Sequence, residues 1–317
     1  MRTTRMLSLR AGQLVVVLFA ASVLVFSAMY LAPGSPESFL VHGNSVTPAT
    51  LQAIRDQYHL DDPFWQQYLA WVGGLLRGDF GQSIQFRQPV TALIGSRLPT
   101  TLLLIAYASV LIVVGGVLTG VLAAVRKGRT DTSVVVASTV AMSTPSFVVA
   151  IVMTSLFSVS LHWFPAFGDG SGLLDRLWHL TMPAIALAFS SGALVTRTTR
   201  SAMLVELANE YVETARMRGL PERRIIWRQA FRNALGPVVT LAGLVVSGLL
   251  VTTTIVETAF GLNGVGSLLV QAVNVKDFPV VQAIVLVIVA VFALVNLAVD
   301  AVRPLIDPRA RSVEAAR

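Results

Sequence analysis

The sequence predicts an all-α polytopic membrane protein with six transmembrane helices. Hydrophobic residues make up 54% of the 317 residues and charged residues only 13%. The mean hydropathy of +0.70 exceeds that of ordinary soluble domains. The charged residues lie between long apolar runs rather than within them. A run of about 20 apolar residues is expected to cross the bilayer as a helix, because lipid offers no partners to exposed backbone groups.

Six apolar runs are long enough to form these helices. In chain order they occupy about residues 13–31, 100–124, 133–156, 178–196, 237–256 and 280–299. The first run follows Arg2, Arg5 and Arg10, as the apolar region of a signal peptide would. It is longer than such a region, and no clear cleavage site follows it. We therefore expect the first helix to remain as a membrane anchor.

The runs divide the chain into four parts. Residues 1–31 are expected to form the N-terminus and first helix, and residues 32–98 a small extracytoplasmic region. Residues 99–304 would form the transmembrane core, including a polar, arginine-rich loop at 197–236. Residues 305–317 are expected to be a polar tail.

Basic residues predict the orientation of the chain. Of the 24 lysine and arginine residues, 18 lie in the two termini and the segments 125–132 and 197–236. Cytoplasmic segments of membrane proteins carry such an excess. Both termini and the 197–236 loop are therefore expected in the cytoplasm.

Several classes of function lack their motifs in this sequence. It has no cysteine and four scattered histidines, so no metal site is expected. Neither Lys127 nor Lys276 follows a glycine, so no P-loop for ATP is present, and hydrolase motifs are missing. The basic residues flank apolar runs without interleaved aromatic residues, which argues against nucleic acid despite the pI of 10.5. The chain is not expected to be an enzyme.

The apolar runs themselves carry few polar groups. No ionisable residue lies in the middle of any run, which disfavours an ion-coupled carrier. Pro145 is expected to kink the third helix, because proline removes a helical hydrogen bond. The polar residues that could line a solute passage are Ser143, Thr144, Pro145, Ser146, Ser190 and Ser191. The alternative is a packing kink at which the hydroxyls satisfy freed carbonyl groups.

The 197–236 loop carries the strongest functional signal. A helix-forming stretch from Arg200 to Arg218 ends at Gly219, which suits a left-handed helix end. Pro221 suits the first turn of a second helix. That helix would carry an apolar stripe of Ile225, Ile226, Ala230 and Phe231. The loop could be an interfacial hairpin that only holds two membrane helices, or a rigid knob that a partner grips.

The spacing in this loop resembles the E-A-A-x-x-x-G coupling loop of ABC importer permeases, and we call it the coupling loop below. Glu213, Ala215 and Gly219 fall in that register. Thr214 occupies the second motif position. The motif closes with Arg232, Asn233 and Pro237.

Further segments resemble the dipeptide/oligopeptide type of these permeases, in particular the B-type subunit. They include PGSP at 33–36, LLRGDFG at 75–81, RLPTTL at 97–102, ETAFG at 257–261, DFPVVQ at 277–282 and DPR at 307–309. The sequence departs from the usual pattern at Ser35, Gln229 and Asn263, where the family commonly has Asp, His and Pro. The resemblance implies a type I ABC importer permease fold.

The resemblance also implies partners. These are a second homologous permease subunit, two ABC ATPase subunits and an extracytoplasmic solute-binding protein, assembled in the cytoplasmic membrane of a prokaryote. ATP and magnesium would be held by the ATPases, so this chain would bind no cofactor. The residues expected to contact the ATPase are Glu213, Thr214, Ala215, Arg216, Arg218 and Gly219.

The implied solute is a di- or oligopeptide delivered by the binding protein. Similar permeases carry nickel chelates or glutathione, which are alternatives within the same class. A self-contained channel or secondary carrier is the alternative from a different class, and an intramembrane enzyme is a third. The channel or carrier would transport without ATPase partners, and the missing catalytic motifs disfavour the enzyme.

Overall fold

A computed structural model of the chain describes residues 2–31 and 62–306. The PGSP and DPR segments and most of the expected tail lie outside these residues. Within the described part the protein is almost entirely helical, with one isolated β-bridge between Gln82 and Pro89. The predicted all-α class is confirmed.

The described residues form ten helices, counting each helix with its π-helical turn as one. They are α1 (Arg2–Leu31), α2 (Phe64–Leu76), α3 (Val90–Val125), α4 (Arg129–Ser143), α5 (Ser146–Ser160), α6 (Leu173–Leu207), α7 (Glu210–Met217), α8 (Glu222–Ala259), α9 (Val265–Asn274) and α10 (Phe278–Ile306). The π-helical turns are Leu111–Gly115 in α3, Thr154–Ser160 in α5 and Ile225–Ala230 in α8.

Four of these helices are long and apolar enough to cross a bilayer. They are α3, α6, α8 and the Phe278–Ala298 part of α10. Together α4 and α5 meet the same criteria, but they are bent by 100°. The first predicted span lies in α1, whose apolar part at Gly12–Ala28 is shorter than a full crossing. The number of six crossings therefore stays a prediction.

The third predicted span differs from the expected kinked helix. Thr144 and Pro145 are extended, with ψ angles of 118° and 143°, so α4 and α5 are separate helices. Proline lacks the N–H that a helix needs and disfavours helical geometry at the preceding residue, here Thr144. These two effects act on adjacent residues, and the result is a full break rather than a kink.

The chain divides into two compact units. The first comprises residues 1–99 and 267–293. In its described part, aromatic side chains join α1 to α2. The Phe26 ring lies 5.3 Å from Phe64, 5.5 Å from Tyr68 and 5.2 Å from Trp71, measured between centroids. The Ser22 and Tyr68 hydroxyls are 2.7 Å apart.

The second unit comprises residues 100–266 and 294–317. Its core is a buried cluster from α3, α5, α6 and α8 that includes Leu104, Leu187 and Leu249. Towards the end of α3, Gly116 and Gly120 let α6 approach closely. A Cβ added at Gly120 would lie only 2.6 Å from the Thr196 carbonyl oxygen. The G-x-x-x-G spacing is thus used for helix packing.

Candidate functional site

The coupling loop forms a helix, a glycine turn and a second helix. Helix α6 ends at Leu207, and Asn209 is extended with ψ of 148° before α7 begins. The helix expected from Arg200 to Arg218 is therefore broken in two. The chain reverses at Gly219, and α8 begins at Glu222 with Pro221 one position before it. The predicted helix–turn–helix pattern is confirmed, but its first helix begins at Glu210 rather than at Arg200.

Backbone geometry explains the glycine at the turn. Gly219 has φ of +71°, in the left-handed region that favours glycine. Its N–H donates to the Arg216 carbonyl at 2.9 Å, and the Leu220 N–H donates to the Ala215 carbonyl at 3.2 Å. These bonds satisfy carbonyl groups at the end of α7. No atom lies within 4 Å of an added Cβ, so the requirement is conformational rather than spatial.

A small buried cluster holds α7 against the start of α8. Val212, Ala215 and Ile225 are almost fully buried and pack together, with Tyr211 and Leu220 at the edge. The small side chain of Ala215, the third residue of the E-A-A-x-x-x-G motif, therefore faces α8. The predicted apolar stripe of α8 supplies Ile225 to this contact.

The opposite face of α7 is open to solvent. Glu213, Arg216 and Arg218 are exposed, and Thr214 is half-buried. Met217 is 76% exposed, which is unusual for a large apolar side chain. The surface available to a partner is thus a short helix with one apolar tip among charges of both signs.

An ion pair spans the turn. The Arg216 Nε donates to the Glu222 carboxylate at 2.7 Å, joining the end of α7 to the first residue of α8. This hydrogen bond raises the pKa of Arg216 above its ordinary value, and the negative charge of Glu222 adds a smaller effect in the same direction. Both side chains are about half exposed, so the pair orders the turn but contributes little to stability.

The loop is continuous with long helices. Met203 of α6 and Ala230 and Ala234 of α8 pack on Val121 and Ala124 of α3 in a second buried cluster. A cavity of about 420 Å³ lies between the end of α3 and the turn. A force applied to the exposed face of α7 would therefore act on α6 and α8.

The residues expected to close the loop lie inside α8. Arg232, Asn233 and Pro237 are all exposed, and the helix runs past them without interruption to Ala259. The structure does not bring them to the α7 turn.

The candidate passage residues fall into two groups. Ser143, Thr144, Pro145 and Ser146 surround the break between α4 and α5, and Ser190 and Ser191 are half-buried in α6. The Ser143 and Thr144 hydroxyls donate to the Thr139 and Val140 carbonyls of their own helix. Among the described residues, no hydrogen bond joins the two groups. The hydroxyl-to-carbonyl bonds of Ser143 and Thr144 favour the interpretation in which hydroxyls satisfy carbonyl groups near the break.

Three buried or half-buried carboxylates were missed by the sequence reasoning. Asp131 of α4 accepts a paired hydrogen bond from Arg200 of α6, with 2.7 Å between Nη2 and Oδ2. Asp277 accepts the Ser83 hydroxyl at 2.6 Å and the Gln85 N–H at 3.1 Å. Glu257 is the third. Glu257 and Asp277 open the family-like segments ETAFG and DFPVVQ, but no role was inferred for either carboxylate.

Comparisons with known proteins agree with this architecture. A family model described as binding-protein-dependent transport system inner membrane component matches residues 116–312. A second model, for the N-terminal part of such membrane components, matches residues 3–105.

Curated relatives cover nearly the whole chain. A putative peptide permease protein of Brucella ovis is 38% identical over 300 residues, 92% of this chain and 94% of the relative. The oligopeptide transport system permease protein AppB of Bacillus subtilis is 34% identical over 300 residues, 92% and 95% of the two chains. The dipeptide transport system permease protein DppB of Lactococcus lactis is 36% identical over 304 residues, 95% and 97% of the two chains.

A solved structure shares the fold. A chain of the MetNI methionine ABC transporter, in an inward-facing conformation, aligns with a TM-score of 0.56 and 17% identity. The alignment covers 68% of this chain and 97% of that one.

Proposed function

The chain belongs to the family of binding-protein-dependent transport system inner membrane components, and from this premise we propose that it carries di- or oligopeptides across the cytoplasmic membrane. It is a permease subunit of an ABC importer, as its family, its relatives and its fold agree. The proposal of a peptide cargo rests on relatives that are named as peptide, oligopeptide and dipeptide permeases.

One observation carries the mechanism: an exposed helix with a glycine turn is joined directly to two long helices. ABC ATPase subunits would bind the α7 face that holds Glu213, Arg216 and Met217. The turn at Gly219 keeps this face rigid, and α6 and α8 extend from it over 35 and 38 residues. Closure of the ATPases would move these helices and switch the permease between two packed arrangements.

The complete importer would contain three further kinds of subunit. A second permease subunit would complete the passage, a pair of ATPases would hold ATP and magnesium, and an extracytoplasmic binding protein would deliver the peptide. The coupling loop and both termini would lie in the cytoplasm. This orientation is supported by the excess of arginine and lysine in those segments.

Uptake into proteoliposomes tests the proposal. The complex would be purified through a tag on this chain, reconstituted, and given ATP together with a radiolabelled tripeptide and the binding protein. Uptake that requires ATP and every partner is the expected result. Peptide flux through this chain alone would replace the importer with a channel or carrier, and uptake of nickel chelate or glutathione in place of peptide would change the cargo.

A further inference from the structure

A fully buried carboxylate lies at the far end of α8 from the coupling loop. Glu257 is in the last turn of this helix and is 0% exposed. Burying a carboxylate is costly unless hydrogen bonds and favourable charges replace its water. The surroundings of Glu257 should therefore be built around it.

Thr101 links this carboxylate to the start of α9. The Thr101 hydroxyl donates to Glu257 Oε1 at 2.7 Å, and the Val265 N–H donates to the same hydroxyl oxygen at 2.8 Å. Val265 is the first residue of α9, and a helix N-terminus favours a nearby negative charge. Thr101, which is itself buried, thus relays the position of Glu257 to the backbone that begins α9.

Two glycines make room for the carboxylate. A Cβ added at Gly264 would overlap the Glu257 carboxyl group. A Cβ added at Gly266 would lie 2.9 Å from Glu257 Oε2 and 2.5 Å from the Thr254 Cα. The chain after α8 is therefore fitted closely around the Glu257 side chain.

The same stretch of chain is tied on its other side to the loop between α5 and α6. The Asn263 N–H donates to Asp169 Oδ1 at 2.8 Å, and the Gly168 N–H donates to the Phe260 carbonyl at 3.3 Å. A proline at 263, common in the family, would have no N–H for the first of these bonds. The two loops therefore form one surface, on which Phe167 is 66% exposed.

We propose that Glu257, acting through Thr101, is a positioning residue that holds the 260–266 loop in the shape that the extracytoplasmic binding protein docks on. The inference rests on the proposed function, which supplies the binding protein as partner. The exposed Phe167 side chain on this surface fits docking to another protein. Losing the Glu257–Thr101–Val265 chain of hydrogen bonds would loosen the loop without altering the coupling loop at the other end of α8.

Spin labels on the purified full chain test the positioning role directly. The sequence has no cysteine, so a labelled pair is supplied by Asn263→Cys in the 260–266 loop and Leu174→Cys in the first turn of α6, both at exposed sites. We expect Glu257→Gln and Thr101→Val to broaden the distance distribution between the labels. Thr101→Ser, which keeps the hydroxyl, should restore it, and a distribution unchanged in both Glu257→Gln and Thr101→Val would overturn the role.

The functional arm uses ATP hydrolysis by the reconstituted complex, titrated with the binding protein. We expect Thr101→Val to raise the half-saturating concentration of binding protein at least tenfold, while basal hydrolysis and the maximum stay within twofold. Thr258→Val is the matched control, because the exposed Thr258 hydroxyl only donates to Thr254 of its own helix. An unchanged half-saturating concentration, or an equal fall in basal and stimulated rates, would overturn the docking role.

The two experiments also separate this inference from the proposed function. If the binding protein does not stimulate ATP hydrolysis by the unmodified complex, the proposed function fails. The spin-label result would still test whether Glu257 and Thr101 position the 260–266 loop.

Discussion

Replacement of Gly219 separates backbone conformation from side-chain volume at the coupling loop. No atom lies within 4 Å of a Cβ added at Gly219, so the site has room for a side chain. Its φ of +71°, however, is a backbone conformation that most residues other than glycine rarely adopt. A residue other than glycine in the left-handed region is strained by roughly 1–2 kcal/mol, and asparagine is tolerated best. That strain would change the equilibrium constant between the native turn and competing turns by about 5- to 30-fold.

The expected order of activity therefore does not follow the order of side-chain size. Gly219→Ala and Gly219→Val should lower ATP-dependent uptake by about 5- to 30-fold, whereas Gly219→Asn, whose side chain is intermediate in volume between the two, should stay within about twofold of the unmodified protein. Uptake into proteoliposomes is measured together with the amount of ATPase that co-purifies with the chain. Membrane insertion of each variant, followed by blotting, is the control for expression.

Two results would refute the reasoning about Gly219. If asparagine is as damaging as valine, side-chain space rather than backbone conformation decides, and a partner surface must lie close to the turn. If valine transports normally, the turn does not need its observed conformation for transport.

Three further predictions concern contacts away from the turn. Gly120→Ala should destabilise the protein by about 1–3 kcal/mol because its Cβ would meet α6, whereas Gly115→Ala, with no atom within 4 Å, is the control; equal thermal unfolding temperatures would contradict this. Arg200→Gln and Asp131→Asn should each destabilise the protein, and a double-mutant cycle should show that their effects on the free energy of unfolding are not additive; additive effects would show that the pair is not coupled. Asn263→Pro should speed amide hydrogen exchange in the 166–170 loop, because the bond to Asp169 is lost, and unchanged exchange would contradict that link.

Local signals were sufficient for the coupling loop. The glycine, the following proline and the apolar stripe of α8 are neighbours in sequence, and each acts through backbone geometry within a few residues. The prediction failed at Ala208–Asn209, where α6 and α7 separate. Asn209 is a local signal for this break, because asparagine forms helices poorly and is favoured at the N-cap, the position it takes before α7. The packing of Val212 and Ala215 on Ile225 is consistent with the change of direction.

The break between α4 and α5 shows the limit of a local rule. Proline predicted a disturbance at the correct residue, but the sequence did not fix its size. An isolated proline kinks many helices, whereas here the two halves diverge by 100°. Core contacts made by Val149 and Ala150 of α5 hold the second half in its own direction.

By itself, the sequence determined the membrane class, the places of most apolar helices and the glycine turn of the coupling loop, because apolar run length and backbone preference act locally. Only the tertiary structure decided which polar groups meet. Asp131 and Arg200 are 69 positions apart, Thr101 and Glu257 are 156 apart, and Ser83 and Asp277 are 194 apart. Such pairs leave no periodic pattern along the chain, because their geometry arises only when separate helices pack and the buried charge must find its partner.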